Sequence, residues 1–223
     1  MQNIKDKMNT VYINGEIDGI PLLSYEEYGE KFYEITVKIP RLSGNADYLP
    51  VTISERLITP EMPLEGHICA LGQFRSYNKI IDGKTRLCLT VFVREILDEP
   101  ISKNPNQIVI GGYICKSPIY RITPLNREIA NLLIAVNRNY GKSDYIPTIA
   151  WGRNANFADK LKVGERMVIS GRIQSREYEK ATSNGIETRT AYEVSIASFS
   201  VVDNDEEMSE MVEHYLEHLR GRL

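Results

Sequence analysis

Asn9, Gly15, Pro21, Arg41, Asp47-Tyr48 and Pro50 return 97 residues later as Asn106, Gly112, Pro118, Arg138, Asp144-Tyr145 and Pro147. The offset then drifts by a residue or two. Gly66 falls on Gly164, Gly72 on Gly171, Asp82-Gly83 on Asn184-Gly185, and Thr85-Arg86 on Thr188-Arg189. Chance supplies two or three such matches, not this many in order. Self-similarity at a fixed period means duplicated structural units, so the chain should fold as two homologous domains. The expected division is 1–99 for the first, 100–105 for a proline-bounded linker, 106–202 for the second, and 203–223 for a C-terminal segment.

Each repeat is strand-rich. In the second, β-branched and aromatic residues mark strands over 107–115, 129–136, 145–151, 166–176 and 188–198. Asn184-Gly185 is a tight-turn signal between the last two. A short helix is expected over 154–161. Five strands and one helix in such a length suit a small Greek-key barrel of the OB type; a compact β-sandwich has the same strand count. In 205–219, Met208, Met211, Val212, Tyr215 and Leu219 fall on one stripe of an amphipathic helix. Acids gather in its first turn, and Arg220 and Arg222 lie near its end, as the helix dipole favours. The expected fold class is therefore all-β with short helices: two tandem five-stranded OB barrels and a C-terminal amphipathic helix.

The net charge of −3 hides an asymmetry. Residues 106–200 carry 13 Lys+Arg against 8 Asp+Glu, residues 9–99 carry 9 against 14, and residues 201–223 carry 2 against 7. Electrostatic footprints are local, so the second repeat is the candidate binder of a polyanion. Within it, residues 135–153 interleave Tyr140, Tyr145 and Trp151 with Arg138, Lys142 and Arg153. Rings among cations suit an unpaired nucleic-acid strand: bases stack on the rings and the cations track the phosphates. A barrel core that happens to contain tyrosines is the competing reading of this window.

The ordered set of stretches in the second repeat resembles the bacterial single-stranded DNA-binding protein family. The stretches are 106–114 (NQIVIGGYI), 133–138 (LIAVNR), 144–153 (DYIPTIAWGR), 171–176 (GRIQSR) and 188–194 (TRTAYEV). The resemblance implies an OB fold that binds unpaired DNA without strong sequence preference, with no catalysis and no cofactor, and with RNA left open. It implies roles in replication, recombination or repair in the bacterial cytoplasm, at the nucleoid. Carried over by position, the base-stacking aromatics are Tyr140, Tyr145, Trp151 and Tyr178. The accompanying cations are Arg138, Lys142, Arg153, Arg172, Arg176, Lys180 and Arg189. Arg172 and Arg176 alternate with a period of two, which puts them on the face of Tyr178.

The first repeat departs from the pattern. Tyr48 keeps one aromatic position, but Ser43, Ser54 and Lys79 stand where Tyr140, Trp151 and Tyr178 do, with Tyr77 a near substitute for the last. Prolines in 57–64 disfavour a helix there. With its acidic balance this repeat is expected to bind DNA weakly and to serve assembly. In the family four OB folds act together, so a homodimer of this two-fold chain is expected. The alternative is an OB module that has turned from nucleic acid to protein assembly. The C-terminal end, Leu219-Arg-Gly-Arg-Leu223, lacks the family's acidic tip, so recruitment of other proteins through such a tail is not expected.

Other signals are weaker. No run of 18 apolar residues exists, and the N-terminus has no apolar signal region, so neither membrane nor export is expected. Cys69, Cys88 and Cys115 sit in apolar contexts and read as reduced, buried thiols. His214-Tyr-Leu-Glu-His218 has a zinc-protease spacing but no downstream carboxylate ligand. Gly141-Lys-Ser143 lacks the first glycine of a phosphate loop and precedes a strand.

Overall fold

Alternation of apolar and polar residues sets the strands, and the duplicated sequence sets them twice. The computed structural model describes residues 7–59, 64–81, 83–182 and 185–220. Asp82 and Asn184 of the two turn signals, and Pro60 and Pro63, lie outside the described residues. In the first repeat run β1 (Asn9–Glu27), β2 (Glu30–Pro40), β3 (Ala46–Ser54), β4 (His67–Ile81) and β5 (Lys84–Ile96). β1 pairs with both β2 and β4, β2 with β3, β3 in parallel with β5, and β5 with β4. That circuit closes a five-stranded barrel. Leu49, Val51 and Ile53 of β3 point inward and are fully buried with Phe74, Ile13 and Ile39.

The second repeat contains β6 (Asn106–Ile114), β7 (Ile119–Ile122), β8 (Glu128–Asn137), β9 (Ser143–Trp151), β10 (Arg166–Thr182) and β11 (Gly185–Val202). β6, β8, β9, β11 and β10 close in the same order, with β9 and β11 parallel. Where the first repeat has one long β1, the second breaks into β6 and β7 around Pro118, although the equivalent Pro21 lies within the unbroken β1. A short helix, α1 (Arg153–Ala158), follows β9; a 3-10 turn, Glu55–Leu57, follows β3. β10 and β11 run further than the sequence reading, forming a hairpin arm whose outer half is exposed.

β1 and β6 pair antiparallel and fuse the two barrels into one eleven-stranded sheet. The register is Asn9↔Ile110, Val11↔Ile108 and Ile13↔Asn106. Val11 and Ile108 are equivalents in the repeat, so a residue faces its own counterpart and a pseudo-two-fold axis passes between them. The repeated polar residues are explained by this axis. The buried Asp47 accepts from Arg41 Nε (2.8 Å) and from the Ser175 N–H (2.8 Å); Arg41 Nη2 donates to the Ser175 carbonyl (3.0 Å). The axis-related set joins Asp144 to Arg138 Nε (2.6 Å) and the Ser76 N–H, with Arg138 Nη2 donating to the Ser76 carbonyl (3.0 Å). Each set clamps one barrel to the hairpin arm of the other.

The repeated glycines are close approaches. A Cβ on Gly171 would lie 2.2 Å from the Ser195 carbonyl oxygen, and one on Gly72 would lie 2.4 Å from that of Phe92. Both sit at register shifts, where the strand bends to close its barrel.

The helix α2 (Asp205–Arg220) lies across the outward side of β6, β10 and β11. Met208, Val212, Leu216 and Leu219 are buried there. Gly111 makes room: a Cβ would meet Met8 Sδ at 2.8 Å and Val212 Cγ2 at 3.0 Å. Arg166 and Tyr113 hold the first turn through Asp205, and these two hydrogen bonds keep its carboxyl below the usual range. Among the described residues no helix is long and apolar enough to cross a membrane. The three cysteines are unpaired; Cys69 is buried, while Cys88 and Cys115 are half-buried.

Candidate nucleic-acid interface

β9 carries the centre of the site. Its odd positions face out of the barrel and its even positions face in. Tyr145 and Trp151 stand exposed at the two ends of that outer face, with Pro147 and Ile149 between them. Asp144, Ile146, Thr148 and Ala150 fill the inner face. The Tyr145 N–H donates to Ser76 Oγ (2.8 Å), which ties this strand to the first repeat. Arg153 follows as the first residue of α1 and is exposed.

Tyr140 sits in the turn between β8 and β9. It adopts φ 64°, ψ 29°, a left-handed conformation costly for a side-chain-bearing residue. The turn projects its ring into solvent, 99% exposed. An aromatic held out in a strained turn gains nothing from packing, so its presence points to a partner.

Tyr178 is on the β10 arm. Arg176 lies 5.7 Å from its ring centroid, and Arg189 pairs with it in the ladder. Arg189 also makes an ion pair with Glu187 (2.6 Å). Tyr178, Lys180 and Arg189 share a cleft of about 670 Å³ with Tyr77, Lys79 and Arg86 of the first repeat. The arms β4–β5 and β10–β11 form its two sides, so this part of the site is built by both repeats.

Two of the cations read from the sequence do structural work. Arg138 is committed to Asp144 and the Ser76 carbonyl. Arg172 Nη1 pairs with Asp47 (2.8 Å) across the repeats. Their guanidinium groups reach the rims of the junction but are paired within the protein. Lys142, Arg153, Arg176 and Lys180 lie in exposed positions. The eleven residues thus fall into three groups: the β9 face with Arg153, the turn with Tyr140, Lys142 and Arg138, and the arm with Arg172, Arg176, Tyr178, Lys180 and Arg189.

The sequence reading also missed a set of rings. Tyr25 stacks on Phe32 at 4.7 Å between centroids, and Phe32 meets Phe92 at 5.9 Å. Tyr25, Phe32 and Phe92 occupy the positions that Ile122, Ile129 and Ser195 hold in the second repeat. The first repeat therefore has lost Trp151 (Ser54 stands there) and has gained rings on neighbouring strands. Burial pushes the Tyr25 and Tyr77 phenols above their ordinary range, so both stay neutral. No group of three or more His, Cys, Asp or Glu among the described residues is placed to hold a metal ion.

Residues 105–202 match the single-strand binding protein family. A single-stranded DNA-binding protein of Oceanobacillus iheyensis is 33% identical over 103 residues, 43% of this chain and 61% of the relative. Single-stranded DNA-binding protein A of Bacillus subtilis is 36% identical over 81 residues, 33% of this chain and 47% of the relative. The chain thus spans less than two thirds of the length of these relatives. The crystal structure of the wild-type single-stranded DNA-binding protein from Thermus aquaticus superposes with a TM-score of 0.68 at 19% identity, over 88% of this chain and 93% of that one. At that identity the likeness is one of fold, and it extends through both repeats.

Proposed function

We propose, from the match of residues 105–202 to the single-strand binding protein family, that the chain binds unpaired DNA without strong sequence preference. It does so as a non-enzymatic cover for exposed strands during replication, recombination or repair in the bacterial cytoplasm. The observation that carries the reading is the row of exposed rings: Tyr145 and Trp151 on one face of β9, with Tyr140 on the adjoining turn. Bases stack on Tyr140, Tyr145, Trp151 and Tyr178. Lys142, Arg153, Arg176, Lys180 and Arg189 follow the phosphates, and Arg138 and Arg172 set the rims while holding the repeats together.

Two chains pairing would gather four folds, each occluding about 4–16 nucleotides, and linked sites raise affinity through effective concentration. α2 already covers part of the outward face of the fused sheet. A surface open to pairing is the β1–β2 hairpin of the first repeat, where Ile20, Leu22 and Leu23 are exposed. The same apolar hairpin favours the second reading, an assembly module that no longer binds nucleic acid tightly.

One titration separates the readings. Trp151 is the only indole, so oligo-dT at low salt should quench intrinsic fluorescence, and Trp151→Ala should weaken binding by about 1–3 kcal/mol. Fluorescence indifferent to saturating oligonucleotide removes Trp151 from the site; no binding at low salt leaves the assembly reading. Light scattering on the same samples tests the pairing: a mass of 25.4 kDa at every concentration sinks it.

A further inference from the structure

The pseudo-two-fold axis relates two regions at the junction of the repeats, and their chemistry is not equivalent. One, of about 390 Å³, is lined by Arg75, Arg94, Arg138, Tyr140, Lys142 and Asp144 among others, four cations against a single carboxylate. The axis carries these six positions onto Gln174, Ala197, Arg41, Ser43, Asn45 and Asp47. On that side the ring and three of the four cations are gone, and Asp47 is shared by Arg41 and Arg172. On the first side, among the described residues, Arg138 is the one cation in an ion pair with Asp144. Duplication gave both sides the same clamp; one side carries four cations and an exposed ring about its carboxylate, the other two cations paired to theirs.

Arg75 is the informative residue in it. Its guanidinium lies 3.7 Å from the Phe92 ring centroid and donates to Gln73 Oε1. No described carboxylate makes an ion pair with it. Burial first, then the neighbouring Arg138 and Arg94, pull its pKa down to about 10, with Asp144 and Tyr25 partly opposing. A half-buried cation crowded by like charges lacks an anion. Beyond Arg75 and Arg138 a second cleft of about 430 Å³ opens toward Tyr25, Tyr77, Lys79 and Phe92 of the first repeat. Tyr77 and Lys79 in turn border the cleft that holds Tyr178. Rings and cations therefore run from Tyr140 into the first repeat and on to the hairpin arms.

We propose that the cleft at Arg75 and Arg94 is a phosphate-binding crossing point, which passes an unpaired strand from Tyr140 of the second repeat to the Tyr25 and Tyr77 rings of the first. The proposal rests on the reading of the chain as a binder of unpaired DNA. It makes the first repeat part of the DNA track in spite of its acidic balance, because the field that a phosphate meets is local.

The test uses the full chain and two oligo-dT strands. One has about 8 nucleotides, within the site of a single fold; the other has about 30, beyond it. In the double variant Arg75→Gln, Arg94→Gln, the slope of log affinity against log salt should fall by about 1.4 for the long strand, near 0.7 for each phosphate no longer neutralised. Affinity for the short strand and quenching of Trp151 should not change. Arg75 packs on Phe92, so Arg94→Gln alone, at an exposed position, serves as the second variant; its long-strand slope should fall by about 0.7. An unchanged long-strand slope in both variants overturns the crossing point, as does an equal loss for short and long strands. If the parent binds neither strand, the reading of the chain as a DNA binder fails, and the crossing fails with it.

Discussion

Removing one clamp should cost more than any exposed ion pair could. In Asp144→Ala the Arg138 guanidinium loses both hydrogen bonds to the carboxylate and the Ser76 N–H loses its acceptor. The Asp144 side chain is almost wholly buried, while about a quarter of the Arg138 side chain reaches solvent (2% and 27% exposed). Breaking a fully buried pair costs about 3–5 kcal/mol because a charge is stranded. Arg138 can rehydrate in part, which moves the cost to the low end. The orphaned Ser76 N–H adds about 1 kcal/mol, and relief of the carboxylate's own desolvation subtracts a comparable amount. A destabilisation of about 3 kcal/mol is expected. For a protein of this length that corresponds to a fall of about 6–12 °C in Tm. Calorimetry together with urea unfolding measures it. Salt at about 1 M screens exposed pairs but not this one, so salt should not reproduce the destabilisation in the parent. The Ser76 hydroxyl that accepts from the Tyr145 N–H belongs to the same cluster, so the variant should also weaken the stacking of bases on Tyr145. A change within about 0.5 kcal/mol, the range of ordinary surface substitutions, would refute the idea that the clamp holds the repeats together.

Gly171→Ala sets a Cβ 2.2 Å from a backbone carbonyl oxygen and should cost about 3 kcal/mol, at the upper end for overpacking; an unfolding midpoint like that of the parent would show that the strand can yield there. Tyr12 is fully buried, and burial, then the hydrogen bond with Cys69, push its pKa up to about 12. An unfolded tyrosine titrates near 10, so the associated stability is present below about pH 10 and is lost as pH rises toward 12. Urea midpoints on either side of that window should fall more steeply in the parent than in Tyr12→Phe; equal slopes would remove Tyr12 as a cause.

Much of the fold is legible in the duplicated sequence. The 97-residue offset pairs β3 with β9 residue for residue, and Leu49, Val51 and Ile53 alternate as the inner face of a strand must. The helix stripe of Met208, Met211, Val212, Tyr215 and Leu219 is visible in the same way, and the structure adds Leu216 to the buried set. The β10–β11 arm is less legible. Its outer residues are polar on both faces, so no period of two marks where it ends. Local spacing sets Tyr140, Tyr145 and Trp151 among cations, the family resemblance adds Tyr178, and the structure leaves all four exposed.

By itself, then, the sequence determines the repeat, the strand periodicity, the exposed rings and the charge difference between the halves. These are local quantities, set by neighbours along the chain. The tertiary structure alone decides which distant groups meet. Arg138 stands among aromatics in sequence, and barrel closure delivers it to Asp144 and to a carbonyl 62 residues away. Tyr25, Phe32 and Phe92 carry no shared spacing, and they meet because β1 folds back on β2 while β5 closes the circuit. The antiparallel register of β1 with β6 relates the two sides of the junction. Only the side chains gathered there from separate strands and a turn then make one of them the more positive.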